Sequence, residues 1–293
     1  MKEITKDITG GIELKNITKK YGKKNALEDV SITFEAGKIY GLLGRNGAGK
    51  STMLNIISNR IFSTSGEVFI DGEKSVENDK ALSKIYCMSD KNLLPGGYKF
   101  KKVLKLTKIF YPDFDEEYAL RLAKEFDLDI NKKLQSYSTG YNCISKIILA
   151  LASNAKYVFF DEPVLGLDAN HREIFYRELL DKYINDGGTY IISTHLIEEC
   201  ANLIEKVVVV KNGRIIADED TETLLETAYT VSGKAEEVDR YCQGKDVYGS
   251  DTIGGLKSAY INGKAENVPD GLEISRANLQ ELFIQMTSDK NGK

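Results

Sequence analysis

Cysteine, histidine and uninterrupted apolar sequence are all scarce in this chain of 293 residues. The four cysteines, Cys87, Cys143, Cys200 and Cys242, are scattered without a C-x-x-C pair. That spacing argues against a disulfide framework and a cysteine-built zinc site, and they read as buried free thiols in a reducing compartment. Apolar runs such as 147–152 fall far short of the roughly 20 residues that a membrane-spanning helix requires. The start, Met1 to Asp7, lacks the apolar core of a signal peptide. No sustained heptads suggest a long coiled coil. A net charge of −4 provides no global attraction to nucleic acid, so no nucleic-acid partner is expected. What remains is an ordinary globular composition, 42% hydrophobic and 29% charged, in a length sufficient for one large domain and a smaller one. The expectation is a cytoplasmic protein, unless a partner holds it at a membrane.

Against these absences stands one complete motif. Gly44-Arg45-Asn46-Gly47-Ala48-Gly49-Lys50-Ser51 matches the phosphate-loop pattern G-x-x-x-x-G-K-[ST]. Before it, 37–43 has the short apolar run of a buried strand; after it, Thr52 and the residues to Ile57 can continue as a helix. Strand, glycine-rich loop and helix is the arrangement that the motif requires. Gly44, Gly47 and Gly49 are expected to free the backbone so that successive N–H groups converge on phosphate oxygens, at the positive end of the helix dipole. Lys50 would reach the β- and γ-phosphates, and the Ser51 hydroxyl would sit on Mg²⁺. The cofactors implied are ATP and Mg²⁺.

The rest of the chain alternates in period. Residues 12–37 read as an antiparallel hairpin, and 66–72 as a strand ending in an Asp-Gly turn. From about 98 to 155 the period is helical, with Val103, Leu106 and Phe110 on one face. Ala119, Leu122, Ala123 and Phe126 form a second face behind the cap Asp115, and Ile144, Ile147, Ile148 and Leu151 a third. Apolar strands return at 157–160, 189–193 and 207–210, as in a sheet covered on both sides. The fold expected is α/β: a P-loop NTPase core with an antiparallel β subdomain, an inserted α-helical subdomain, and a small carboxyl-terminal α+β appendage. Two acids, Asp161 and Glu162, follow the strand 157–160 directly. Beside a phosphate loop, the first can hold Mg²⁺ and the second can deprotonate water. His195 ends another strand after Ser193-Thr194, where it can reach a γ-phosphate.

The phosphate loop, Asp161-Glu162-Pro163, Leu167-Asp168 and Ser193-Thr194-His195, in that order, resemble the ATP-binding subunit of an ABC transporter over about 12–218. The appendage beyond about 218 is similar to those on bacitracin-type and related peptide-export ATPases. The ABC-transporter resemblance implies that Tyr21 stacks on adenine and that Glu162 and His195 carry the catalysis. It also implies that Arg45, Asn46, Ala48, Thr52, Ser138, Gly140 and Asp168 join the nucleotide contacts, in a dimer that sandwiches ATP between one phosphate loop and the other subunit's signature motif. That signature aligns with Tyr137-Ser138-Thr139-Gly140-Tyr141, where Thr139 replaces a glycine and Cys143 and Ile144 replace a polar pair. Asp90 stands where the family has a glutamine, and its carboxylate can still ligate Mg²⁺. The domains expected are 1–218, ATP-binding, and 219–293, accessory, the latter read as 229–232 strand, 235–242 helix, 247–250 strand, a hairpin-like 257–271 and a closing helix through Leu279, Leu282, Phe283 and Met286.

The resemblance implies a peripheral protein on the cytoplasmic face of the membrane that energises transport through a separately encoded transmembrane permease, with export of a peptide, antibiotic or similar compound as the leading reading. Its second partner is another ATPase subunit, in a homodimer or heterodimer. Some of Leu93, Leu94, Tyr98, Phe100, Phe110 and Tyr111 are then expected as an exposed apolar patch beside Asp90, the others as core. The alternatives are a soluble ABC-type ATPase and a nucleotide-dependent regulatory protein with low turnover.

Overall fold

Period-two burial shapes the first layer. In the computed structural model, which describes residues 10–91 and 93–288, β1 (Gly11–Tyr21) and β2 (Lys24–Glu35) pair antiparallel, with Ile12 opposite Phe34 and Leu14 opposite Ile32. Met1 to Asp7, read above for a signal sequence, lies outside those residues. β3 (Ile39–Leu43), buried throughout, leads through the glycine-rich loop into α1 (Lys50–Ile57). β4 (Ser65–Ile70) joins β1, and β5 (Glu73–Lys74) folds back on it through Asp71 and Gly72. Both turn residues have positive φ (50° and 79°), as a two-residue hairpin turn of this kind demands.

α2 (Asp79–Leu82) and β6 (Ile85–Met88) precede the helical block of α3 (Phe100–Phe110), α4 (Glu116–Glu125) and α5 (Thr139–Ala152). Asp115 caps α4 as expected, accepting from the Tyr118 N–H at 2.8 Å. The chain then alternates through β7 (Tyr157–Asp161), α6 (Ala169–Asp186), β8 (Thr189–Thr194), β9 (Lys206–Lys211) and β10 (Arg214–Asp220). It closes with α7 (Thr221–Glu226), β11 (Ala228–Lys234), α8 (Ala235–Tyr241), β12 (Asp246–Ile253), β13 (Leu256–Asn262), β14 (Glu273–Arg276) and α9 (Leu279–Thr287).

Among the described residues the strands form three sheets, ordered β2-β1-β4-β5, β10-β9-β3-β8-β7-β6 and β12-β13-β11-β14. In the central one, β9, β3, β8, β7 and β6 run parallel and β10 pairs antiparallel at the edge. Alternate side chains of β7 face opposite layers. Tyr157 and Phe159 pack with α1 and the first sheet, whereas Val158 and Phe160 pack with α4, α5 and α6. The central sheet is therefore covered on both faces, with its phosphate loop and acids at one strand edge.

Three readings change. α3 buries Phe100, Val103 and Leu104, not Val103 with Phe110; its last turn carries Ile109 and Phe110 into solvent (71% and 74% exposed). Residues 257–271 are not a hairpin in themselves: β13 pairs back on β12 across Gly254-Gly255, and β14 crosses to β11. β10 continues the central sheet to Asp220, past the boundary read at 218. The closing helix does bury Leu279, Leu282 and Phe283, against Val207, Val209 and Ile197 of the core.

Asp71 ties the first sheet to the second. Its Oδ1 accepts from Tyr157 Oη (2.5 Å), Lys156 Nζ (2.9 Å) and the Gly11 N–H (3.2 Å), and its Oδ2 from Lys84 Nζ (2.8 Å). Burial pushes this carboxyl upward, but the hydrogen bonds from Lys84, Tyr157 and Lys156 outweigh it and hold it at about 2, below the ordinary 3.8. A depressed folded-state value gives stability that is present above the ordinary value and is lost as pH falls through about 2. The difference corresponds to roughly 2 kcal/mol. Asp71→Asn is expected to lose about that much stability at pH 7 and to lose less at pH 3. Urea unfolding at the two pH values checks it, and an equal loss at both would remove the charge from the account.

Candidate nucleotide site

The loop between β3 and α1 holds its shape through glycine at three positions, for two different reasons. Gly47 and Gly49 take left-handed conformations (φ 80° and 119°), and a Cβ on Gly49 would also lie 2.6 Å from the Ala26 carbonyl oxygen. Gly44 does not need the unusual backbone expected of it; it is required for space, since a Cβ there would lie 2.7 Å from the Val210 carbonyl oxygen. The loop frames one wall of a cleft of about 580 Å³. Arg45, Asn46, Gly47, Ala48, Gly49, Lys50, Ser51 and Thr52 all line it, and so do Tyr21, Asp90, Glu162 and His195 from four other segments. Gly44 is not among the lining residues but receives the Lys50 side chain. Tyr21, 53% exposed, stands at the rim, where a planar base can lie on its ring.

Lys50 is 6% exposed and curls over its own loop, donating from Nζ to the Gly44 carbonyl oxygen at 2.5 Å, with Glu162 Oε1 at 3.8 Å. Burial pushes its ammonium downward against the pull of Glu162 and Asp161. Asp161, 4% exposed at the end of β7, is pushed upward by burial, with Asp90 and Glu162 adding to the rise. Its hydrogen-bond partners are hydroxyls, Ser51 and Ser193 (2.9 Å from Ser193 Oγ). A phosphate would relieve the lysine and a divalent cation the aspartate.

Glu162 has φ 50°, a conformation that is strained for a residue with a Cβ, and its N–H is fixed by the Ser193 carbonyl oxygen at 2.8 Å. Its Oε2 lies 2.9 Å from His195 Nδ1. Strand ends of β7 and β8 thus deliver a carboxylate and an imidazole to each other beside the lysine, which is the geometry for a base with an orienting partner.

The donor set suits Mg²⁺. That ion binds through one or two carboxylates and keeps water and phosphate oxygens for the rest. Ser51 and the buried Asp161 would hold it. Asp90 lies on the cleft wall, but its Oδ1 accepts from the Lys91 N–H (2.7 Å) and the Ser89 hydroxyl (3.2 Å). Its effect on Asp161 in this geometry is through charge.

Ser138, Gly140 and Asp168 do not line the cleft. Ser138 caps α5, accepting from the Tyr141 N–H at 3.2 Å, and Asp168 caps α6, accepting from the His171 N–H at 2.9 Å. The two caps are neighbours: a Cβ on Gly140 would lie 3.0 Å from the Gly166 carbonyl oxygen, and Thr139 packs beside Gly166. Sequence reasoning missed Lys24, Ala26 and Leu165 in the cleft wall. Lys24 follows Tyr21 across a turn, which was a usable signal; nothing in the pattern marked Leu165.

A family model described as ABC transporter matches residues 27–165. The petrobactin import ATP-binding protein YclP of Bacillus subtilis (strain 168) is 31% identical, over 74% of this chain and 90% of that protein. The lantibiotic transport ATP-binding protein SrtF of Streptococcus pyogenes is 29% identical, over 71% and 90%. Among solved structures, the dimeric post-hydrolysis state of the ATP-binding cassette MJ0796 bound to ADP and Pi is similar at a TM-score of 0.63 and 30% identity, over 72% of this chain and 98% of that one.

Proposed function

This chain belongs to the family of ABC transporter ATP-binding proteins and is an ATPase, and from that premise we propose that it drives export of a peptide, antibiotic or similar compound through a separate transmembrane permease. Lys50 and the loop amides bind the β- and γ-phosphates, and Tyr21 receives the base. Glu162 accepts a proton from the attacking water, and His195 holds that carboxylate while facing the γ-phosphate. Bound Mg²⁺ would supply charge neutralisation to the phosphates from Ser51 and Asp161. Ser138, Gly140 and Asp168, which do not line this chain's own cleft, serve the nucleotide of a second ATPase subunit, as the dimeric assembly of the MJ0796 cassette suggests. Residues 219–293 act as an accessory domain, docked through α9.

The observation that carries the coupling is the presence of exposed apolar side chains at two places on the helical block. One follows the Asp90 segment; the other is the far end of α3, where the Tyr111 hydroxyl donates to the Ile85 carbonyl oxygen (2.9 Å). Ile85 is at the opposite end of β6 from Asp90, so Phe110 does not join the patch expected beside Asp90. Leu93, Tyr98 and Phe110 are exposed, as is Ile109, whereas Phe100 is core and Leu94 and Tyr111 are half-buried. No helix among the described residues is long and apolar enough to cross a membrane; the proposal assigns the transport path to the permease and this chain to the cytoplasmic face. One relative is named for import and another for lantibiotic transport; export follows the peptide-export likeness of the appendage, and a peptide or antibiotic cargo follows the second name. A soluble role uncoupled from transport is not favoured by such relatives.

Ile109→Ser combined with Phe110→Ser is expected to weaken retention on membranes by on the order of tenfold or more, with ATPase activity of the free chain unchanged. Co-purification from membranes, with identification of the multi-span protein that accompanies the wild type, measures it. Retention equal to wild type would detach these side chains from the permease, and the absence of any membrane-spanning companion would remove the transport reading.

A further inference from the structure

Lys146 is the single charged residue of α5, half-buried among Cys143, Ile144, Ser145 and Ile147. A charge in such a helix is costly unless fully engaged. Its Nζ donates to the carbonyl oxygens of Ser89 (2.8 Å) and Asp90 (3.0 Å), the residues that follow β6, the second of which is part of the cleft wall. The Asp90 carboxylate cannot anchor this wall, because it is turned onto its own Ser89–Lys91 bend. Lys146 is therefore the side chain that fixes where that bend stands relative to α5, and α5 begins at the Ser138 cap.

The geometry points to Lys146 as a positioning residue for ATP hydrolysis: its ammonium locks the Asp90 bend to the helix whose first turn carries Ser138 and Gly140, so that nucleotide bound against one constrains the other. The inference rests on the reading of the cleft as the hydrolytic site. The two carbonyls it holds are backbone groups, so the lock is independent of which side chain position 90 carries. The same ammonium lies within electrostatic reach of Asp90 and Asp161, where it offsets part of the negative charge that accumulates at the metal side. An unbranched apolar side chain of similar length, such as Met, keeps the packing of α5 and deletes both hydrogen bonds.

The test compares wild type, Lys146→Met and Lys146→Arg in the full chain. Turnover of Lys146→Met is expected to fall by roughly tenfold to a hundredfold with KM for ATP and binding of a fluorescent ATP analogue within about twofold, and Lys146→Arg, which can still donate to both carbonyls, restores most of the rate. Hydrogen exchange reads the lock without turnover. It is read in protein dilute enough to stay monomeric, so that no second subunit's nucleotide reaches Ser138 and Gly140. There, addition of ATP to wild type should protect 85–91 and 137–145 together; in Lys146→Met the second segment should lose the ATP-dependent protection. Normal turnover in Lys146→Met, loss of nucleotide binding in parallel with rate, or identical exchange in wild type and Lys146→Met would each overturn the assignment. A wild type that binds ATP without hydrolysing it would instead count against the hydrolytic reading, and the exchange comparison would still decide the lock.

Discussion

Glu162→Gln is expected to lower ATP turnover by about 10²-fold or more while nucleotide binding persists. The substitution keeps the size of the side chain and its ability to hydrogen-bond His195, whose Nδ1 lies 2.9 Å from Oε2. It removes only the capacity to take a proton and the negative charge 3.8 Å from Lys50. Losing that charge leaves the lysine more available to phosphate, so affinity for ATP should hold or rise. A subunit that binds but does not hydrolyse should accumulate as an ATP-bound dimer, since the Ser138 and Asp168 caps would remain engaged on the neighbour's nucleotide. Phosphate release, analogue binding and gel filtration with ATP measure the three consequences. Turnover equal to wild type would take Glu162 out of the base role. A Gln variant that binds no nucleotide would show instead that the carboxylate charge beside Lys50 holds the phosphate loop in its binding shape.

Much of this arrangement was legible before any coordinates. The phosphate loop, the acids after an apolar strand and the strand-terminal histidine depend on local sequence and on the rule that parallel strands present their carboxyl edges together. Glu162 and His195 were placed beside the loop on that ground and Tyr21 and Asp90 through the family resemblance alone, and the structure brings all four to one cleft. Lys146 was not legible. Its meaning lies in two backbone carbonyls more than fifty positions away, and neither side chain at 89 or 90 advertises the contact. The last turn of α3 failed for a related reason. Spacing placed Phe110 with Val103 on one face, but where a helix projects beyond the layer beneath it, periodicity no longer decides burial. In the carboxyl-terminal sheet, strands were found but their pairing was not: β14 joins β11 across a long separation, and a pattern of alternation carries no partner.

Lys50→Ala should act on the other half of the reaction, weakening ATP binding by about 10² to 10³-fold, with the residual turnover limited by occupancy. Lys50 is nearly buried, and its ammonium rests on one loop carbonyl and at 3.8 Å from Glu162, a poor exchange for the water it has lost. Burial accordingly pushes its proton affinity down. Arriving β- and γ-phosphates would supply the missing counter-charge, so part of the binding energy is the relief of a cation already desolvated before the ligand arrives. The same reasoning separates this variant from a merely unfolded one. Removing a buried, poorly paired cation should leave the melting temperature of the nucleotide-free protein unchanged or higher. The upward shift that Mg²⁺ and ATP produce in the wild type should be lost, because binding to the folded state is what generates it. A thermal melt of both proteins with and without Mg²⁺-ATP reads both effects at once. A wild-type-sized shift in Lys50→Ala would mean that the loop amides alone hold the phosphates and that this lysine's charge is not what draws them in.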